Sequence, residues 1–287
     1  MLSSFDNLKI IFKLSINLVN IEGVNNMSWG LRNRLDRVLP GLPNGTGSVM
    51  FAIDHGYFMG PTSGLENPRE TIVPLLPHAD SLMLSRGILQ NSIPKRTNIP
   101  IVLRVSSGNS ILNEDLSNEK LCVSIEDAIR LNVSAVAFSI YIGGAYEHQT
   151  IVEFSKLVND AHSFGIPVLA VTAVGKDMNR DLRYLSLASR IAVELGADIV
   201  KTYYCEGFSD LIAACPVPVV IAGGKKVPEL EALKFARNAV SDGAAGVDMG
   251  RNIFQSDSPE NMIQAVRSVV VQGVDPKKAY EQYQRSL

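Results

Sequence analysis

The stretch Leu195-Gly196-Ala197-Asp198-Ile199-Val200-Lys201-Thr202-Tyr203-Tyr204 closes one pattern and opens another. A glycine stands where a helix needs a left-handed residue to stop, and a nearly unbroken β-branched run follows it. The same handover recurs at Phe164-Gly165-Ile166-Pro167 and at Asp242-Gly243-Ala244-Ala245. Runs without a polar face belong to strands buried on both sides, as in a parallel sheet covered by helices.

Outward from this unit, eight such runs are spaced along the chain: Ser48 to Asp54, Ser81 to Ser85, Ile99 to Ser106, Ala135 to Tyr141, Pro167 to Ala173, Asp198 to Tyr204, Pro218 to Ala222 and Gly246 to Met249. Helix starts are legible between them. Ser124-Ile125-Glu126-Asp127 has the form of a capping box, and Pro228-Glu229 fits the first turn of a helix through Leu230, Leu233, Ala236 and Val240. Eight strand-helix units predict an α/β fold, a TIM (β/α)8 barrel. A doubly wound open sheet is the structural alternative, but no GxGxxG follows the first run. No linker or composition shift divides the chain, so one barrel domain is expected over residues 27–287, with residues 1–26 as an N-terminal extension or arm.

A hydrophobic content of 46% over 287 residues is ample for one large core. The formal charge of -2 gives no general field for nucleic acid or an anionic membrane, so the expected partner is a small molecule and any phosphate recognition is local. Cys122, Cys205 and Cys215 make neither a disulfide framework nor a metal pattern, which points to a reducing cytoplasm and no metal site. The apolar stretch from Leu8 to Ile21 is interrupted by Lys9, Lys13, Asn17 and Asn20, so neither a signal nor a membrane anchor is expected there.

Lys201 is the residue out of place, a charged amine in an apolar strand. Burial should depress its pKa, leaving part of it neutral and able to form a Schiff base with a carbonyl. The plainer alternative is a lysine whose stem packs and whose head pairs with a carboxylate. In a TIM barrel the C-terminal strand ends form the active-site ring. Here that ring would hold Asp54-His55-Gly56, Arg104 to Ser107, Gly175-Lys176-Asp177, Gly223-Gly224-Lys225-Lys226 and Gly250-Arg251-Asn252. The glycine loops after strands seven and eight fit substrate phosphate, at Gly223, Gly224, Gly250 and Arg251. Asp54 and His55 are placed for proton transfer beside Lys201, with a loop-capping carboxylate and a packed histidine as the structural alternatives. Lys176 is a rival amine in a more polar setting, and Cys205 lacks an adjacent base.

Four phrases carry a resemblance to a known family: Ala52-Ile53-Asp54-His55-Gly56-Tyr57-Phe58-Met59-Gly60-Pro61-Thr62, Tyr141-Ile142-Gly143-Gly144-Ala145-Tyr146-Glu147-His148-Gln149, Ala170-Val171-Thr172-Ala173-Val174-Gly175-Lys176-Asp177-Met178 and Val247-Asp248-Met249-Gly250-Arg251-Asn252-Ile253-Phe254-Gln255. They resemble the class I aldolases that include archaeal-type fructose-bisphosphate aldolase and the deoxyribose-phosphate aldolase superfamily, and are most similar to a thiolase branch of that group. The resemblance implies that Lys201 is the Schiff-base lysine. It also implies acetyl transfer from a phosphorylated dione to coenzyme A as co-substrate, no permanently bound cofactor, a role in autoinducer-2 processing, and a homo-oligomer, with decamers among the rings of the family. Aldolases of the group carry a proton-donating tyrosine near the end of strand five, in a Tyr-Pro-Arg-Gly-like phrase, where this chain has Thr172-Ala173-Val174-Gly175. A threonine hydroxyl is a poor acid near neutrality, which favours acyl transfer over aldol chemistry. A class I aldolase acting on a phosphosugar such as fructose bisphosphate, and a non-catalytic phosphosugar-binding protein, remain as alternatives.

Overall fold

The computed structural model describes residues 27–174 and 179–287, so the N-terminal extension and Lys176 lie outside the described residues. Eight parallel strands close into a barrel: β1 (Ser48–Ala52), β2 (Ser81–Ser85), β3 (Ile101–Arg104), β4 (Ala135–Ile142), β5 (Val168–Val174), β6 (Ile199–Thr202), β7 (Val219–Ala222) and β8 (Gly246–Met249). Their order around the barrel is sequential, with β8 returning to pair with β1 through Ser48↔Gly246 and Met50↔Asp248. All eight expected runs hold a strand, most with ends trimmed by a few residues, while β4 and β5 end one residue later than expected.

Two details differ from the expectation. The run Ile99 to Ser106 breaks after Arg104, and Ser106–Ser107 pairs antiparallel with Lys120–Leu121 as a small ribbon outside the barrel. Tyr203 and Tyr204 lie beyond the strand, which ends at Thr202. The turns before β5, β6 and β8 do hold left-handed glycines, with φ of 64° at Gly165, 95° at Gly196 and 108° at Gly243.

The alternation of a strand divides the interior from the outer layer. Met50, Met83, Val102, Ala135, Ala137, Leu169, Ile199, Val220 and Ala245 fill the barrel. Helix α1 (Trp29–Val38) adds Leu35 and Val38 to this inner cluster and closes the end where the strands begin. Its register is held there by Arg34, whose Nη1 donates to Gly165 O at 2.9 Å in the turn before β5. The opposite parity, with Phe51, Leu84, Phe138, Val200 and Val247, packs under the surrounding helices. Among them, α2 (Glu147–Ser163) follows β4, α3 (Glu229–Ser241) follows β7, α4 (Pro259–Val270) follows β8, and α5 (Pro276–Arg285) is the last helix. Ser124 Oγ accepts from Asp127 N, as its sequence pattern requires, whereas Pro228, expected in the first turn of α3, stands one residue before it as the N-cap.

With the lower half of the barrel filled mainly by apolar side chains, the charged inward-facing groups are confined to the upper half. Truncating the plug tests this packing. Leu35→Ala, which empties a fully buried position, is expected to cost about 2–5 kcal/mol, read as a lowered midpoint in chemical denaturation. An unchanged midpoint would show that α1 does not support the barrel.

Candidate active site

Lys201 is an inward residue of β6, paired with Val171 of β5 and Val220 of β7, and its side chain is 9% exposed. Its Nζ lies 2.7 Å from Asp248 Oδ2, and Asp248, inward on β8, is fully buried. The amine also donates to Met83 Sδ at 3.6 Å. Burial does act to lower the Lys201 pKa and is the largest single influence. Asp248 and Asp54 together outweigh it, so the amine is held above its ordinary value rather than depressed. The resting lysine is therefore an ammonium, and the expectation of a partly neutral amine is corrected by a carboxylate that the strand supplies.

Burial pushes Asp248 up to about 6 against the pull of Lys201, and its Oδ1 has no hydrogen-bond partner among the described residues. A carboxylate with a raised pKa beside an ammonium is suited to relay the lysine proton. Asp248 was not singled out from sequence. Its signal was the one that marked Lys201: a charged residue in the buried run Gly246-Val247-Asp248-Met249.

Asp54 follows β1 and is buried. Burial would raise it, yet Lys201 and Arg104 hold it below the usual carboxylate value, and Arg104 Nη1 donates to its Oδ2 at 3.3 Å. Arg104 belongs to a buried polar network that sequence reasoning did not assemble. Its Nη2 donates to Glu119 Oε2 at 2.9 Å, to Tyr57 Oη at 2.5 Å and to Ser139 Oγ. Tyr57 and Tyr141 both donate to Glu119 Oε1, at 2.6 and 3.0 Å. Glu119 reaches the site from the edge of the small ribbon, so no local pattern could have placed it. Burial raises both phenols well above their ordinary pKa, keeping them as neutral donors.

His55 opens the short helix Gly56–Met59 and packs edge-on to Phe254 at 5.8 Å. Burial lowers it to about 4, so it is neutral near pH 7, and its buried Nδ1 has no partner among the described residues. It can accept a proton only weakly and orient a polar group. Thr172 Oγ1 donates to Lys201 O at 3.2 Å, on the parity of Val168 and Ala170 that faces the outer core. It is no acid for the site. Cys205 is intermediate in exposure, with a thiol pushed up by burial, which suits an inert role.

The proposed phosphate loops meet across Asn252. Its Nδ2 donates to Gly223 O at 2.6 Å and Lys225 O at 3.3 Å, while its Oδ1 accepts from Val227 N at 2.9 Å. Gly224 has φ 69°, the left-handed region. At Gly250 a Cβ would lie 2.1 Å from Ala52 O and 2.6 Å from His55 Cε1, so the seam between β8 and β1 admits only glycine. Arg251 Nε is buried without a partner among the described residues, a donor that an anion would satisfy. Lys201, Asp54 and His55 are thus brought to one mouth, with Gly223, Gly224, Gly250 and Arg251 on its rim.

The model of the DeoC/LacD family aldolases matches residues 48–256. A curated relative from Photorhabdus laumondii subsp. laumondii is 55% identical over 265 residues, 92% of this chain and 90% of that one. Another from Klebsiella pneumoniae subsp. pneumoniae is 53% identical over 268 residues, 93% of this chain and 90% of that one. Both are named 3-hydroxy-5-phosphonooxypentane-2,4-dione thiolase. Among solved structures, an archaeal fructose 1,6-bisphosphate aldolase superposes with TM-score 0.75 at 29% identity, covering 84% of this chain and 98% of that one. An archaeal fructose-1,6-bisphosphate aldolase whose catalytic lysine is bound to the carbinolamine intermediate superposes with TM-score 0.75 at 28% identity, covering 84% and 99%.

The charge balance around Lys201 makes a directional prediction. In Asp248→Asn the main raising influence is gone and burial remains, so the amine should lose its proton at lower pH than in the parent. The midpoint of Lys201 modification by an amine-reactive reagent, followed across pH by peptide mass mapping, should move downward. A midpoint that stays or rises would show that Asp248 does not set the charge of Lys201.

Proposed function

The chain belongs to the DeoC/LacD family of aldolases, and from that premise we propose that it is a Schiff-base thiolase. It transfers the acetyl group of 3-hydroxy-5-phosphonooxypentane-2,4-dione to coenzyme A, giving acetyl-CoA and dihydroxyacetone phosphate. The observation that carries this reading is a buried lysine at the end of β6, ion-paired to Asp248, in a chain more than half identical to thiolases of that name.

The order of steps follows from where the electrons must go. Asp248 takes the proton of the Lys201 ammonium, and the freed amine adds to the C4 ketone, beside the phosphorylated carbon, with loss of water. An iminium at C4 is one bond from C3, so it can receive the electron pair released when C2–C3 breaks. An iminium at C2 could not. The thiolate of coenzyme A adds to the C2 carbonyl, and collapse of that adduct breaks C2–C3, forms acetyl-CoA and leaves an enamine on Lys201. Protonation at C3 and hydrolysis release dihydroxyacetone phosphate and restore the amine. Asp54, held ionised by Lys201 and Arg104, and neutral His55 orient and move protons at the C3 hydroxyl side. Gly223, Gly224, Gly250 and Arg251 hold the phosphate.

The same reading makes the enzyme a member of the autoinducer-2 processing route, cytoplasmic, and a ring-forming homo-oligomer. No described helix is long and apolar enough to cross a membrane. The likeness to archaeal fructose 1,6-bisphosphate aldolases supports a second reading, a phosphosugar aldolase with the same lysine. The position of Thr172 weighs against it.

Acetyl-CoA production from the phosphorylated dione, without cleavage of fructose bisphosphate, is the expected result, and the reverse result selects the aldolase. Borohydride added with the dione should fix a label on Lys201 alone. Lys201→Ala should abolish both label and turnover, and Asp54→Asn should lower kcat roughly 10²–10⁴-fold. Tight ligand binding with no activity in the parent enzyme would leave a phosphosugar-binding protein.

A further inference from the structure

Three cations at one corner of the rim have no acid to neutralise them. Arg180 lies between β5 and the helix Leu182–Glu194, Lys225 follows β7, and Arg251 follows β8. None of the three has a carboxylate partner among the described residues, whereas the neighbouring Lys226 and Lys234 are paired with Glu229 and Glu231. Like charges gathered without acids repel one another, and an anion placed among them removes that cost. In a chain whose formal charge is -2, such a local excess of positive charge calls for a ligand.

Arg180 reaches this corner across the end of β6. Its guanidinium carbon lies 3.7 Å from the centroid of the Tyr203 ring, and it lines one cavity with Tyr203, Gly223, Gly224, Lys225 and Asn252. A guanidinium laid on an aromatic face keeps its N–H edge available, and that fork matches the oxygens of a phosphate. Arg251 joins the corner to the catalytic mouth. Burial is the largest influence lowering its pKa and Arg180 adds to it, while Tyr203 and Asp54 oppose them. His55, lowered chiefly by burial, also feels the charge of Arg251. Arg251 therefore stands within electrostatic reach of Arg180 and of the Asp54 and His55 pair alike, with its buried Nε still lacking a partner among the described residues.

We propose that Arg180, held on Tyr203, is a specificity residue that joins Arg251 in binding the substrate phosphate, so that the site selects a phosphate monoester over the same ketone without phosphate. The assignment rests on the Schiff-base reading above and deepens it by naming what reads the second charge. A phosphate monoester carries close to two negative charges near neutral pH. The loop after β8 supplies one guanidinium, and Arg180 supplies the other. Lys225 is exposed and adds charge without the planar fork.

Borohydride trapping on Lys201 gives the half-saturating concentrations of dihydroxyacetone phosphate and of dihydroxyacetone, for the full chain and for Arg180→Gln and Tyr203→Leu. Arg180→Gln should raise the value for dihydroxyacetone phosphate about tenfold or more and leave that for dihydroxyacetone where it was. Tyr203→Leu removes the platform and should raise the first value in the same direction. An unchanged value for dihydroxyacetone phosphate in either variant overturns the proposal. So does an equal rise for dihydroxyacetone, which reports a disturbed lysine, or a parent that takes both ketones equally well. If neither ketone labels Lys201 in the parent, the Schiff-base reading fails by itself. Calorimetric titration of dihydroxyacetone phosphate then decides the corner: binding weakened in Arg180→Gln supports it, whereas absent or unaltered binding overturns it.

Discussion

One buried ion pair, Lys201 Nζ against Asp248 Oδ2 at 2.7 Å, sets the terms for the upper half of this barrel. Removing two charges from water costs several kcal/mol for each ion, and an apolar pair of similar size would often serve stability as well. The barrel does not isolate the pair. Asp54, Arg104 and Glu119 stand in the same interior, so three carboxylates face two cations in a space closed below by Leu35 and Val38. Such a cluster holds only if each member is supported by the next, which is what the fork of Arg104 between Asp54, Glu119, Tyr57 and Ser139 does. The apolar plug and the charged mouth are complementary halves of one design: the first supplies a rigid, dry floor, and the second uses it to tune proton affinity.

That tuning runs opposite to the simplest expectation for a Schiff-base amine. Desolvation favours a neutral lysine, but two neighbouring carboxylates favour the ammonium and prevail. The proton must then have somewhere to go, and Asp248, lifted by the same burial, is the nearest acceptor. In the proposed mechanism reactivity comes from a short proton transfer within this pair, not from a lysine that is neutral at rest. Thr172 fits the same picture, because its hydroxyl is tied to the main chain of Lys201 and faces away from the reacting carbon.

The strands were legible because burial on both faces leaves an uninterrupted apolar run, and the helix ends because glycine and Ser-x-x-Asp patterns act locally. Lys201 was legible as a violation of its own run. Asp248 is the same violation, and its small four-residue strand, beginning in glycine, made it less conspicuous. Glu119 could not be read. It enters the site through a ribbon that forms only after β3 breaks, and its side-chain partners are separated from it by 13 to 62 residues. The direction of the Lys201 shift was also hidden, since it depends on which carboxylate from a distant strand comes within ion-pair distance.

Gly250 ties the assembly of the barrel to the corner proposed to hold the substrate phosphate. The last strand can close on the first only because no side chain stands between it and Ala52 O, and the same residue opens the loop that carries Arg251. Mutational drift at this corner is therefore blocked by folding before it is ever judged by activity. New substrate ranges on this scaffold must arise elsewhere on the rim, on the side of the small ribbon, while the proposed anion corner is inherited intact.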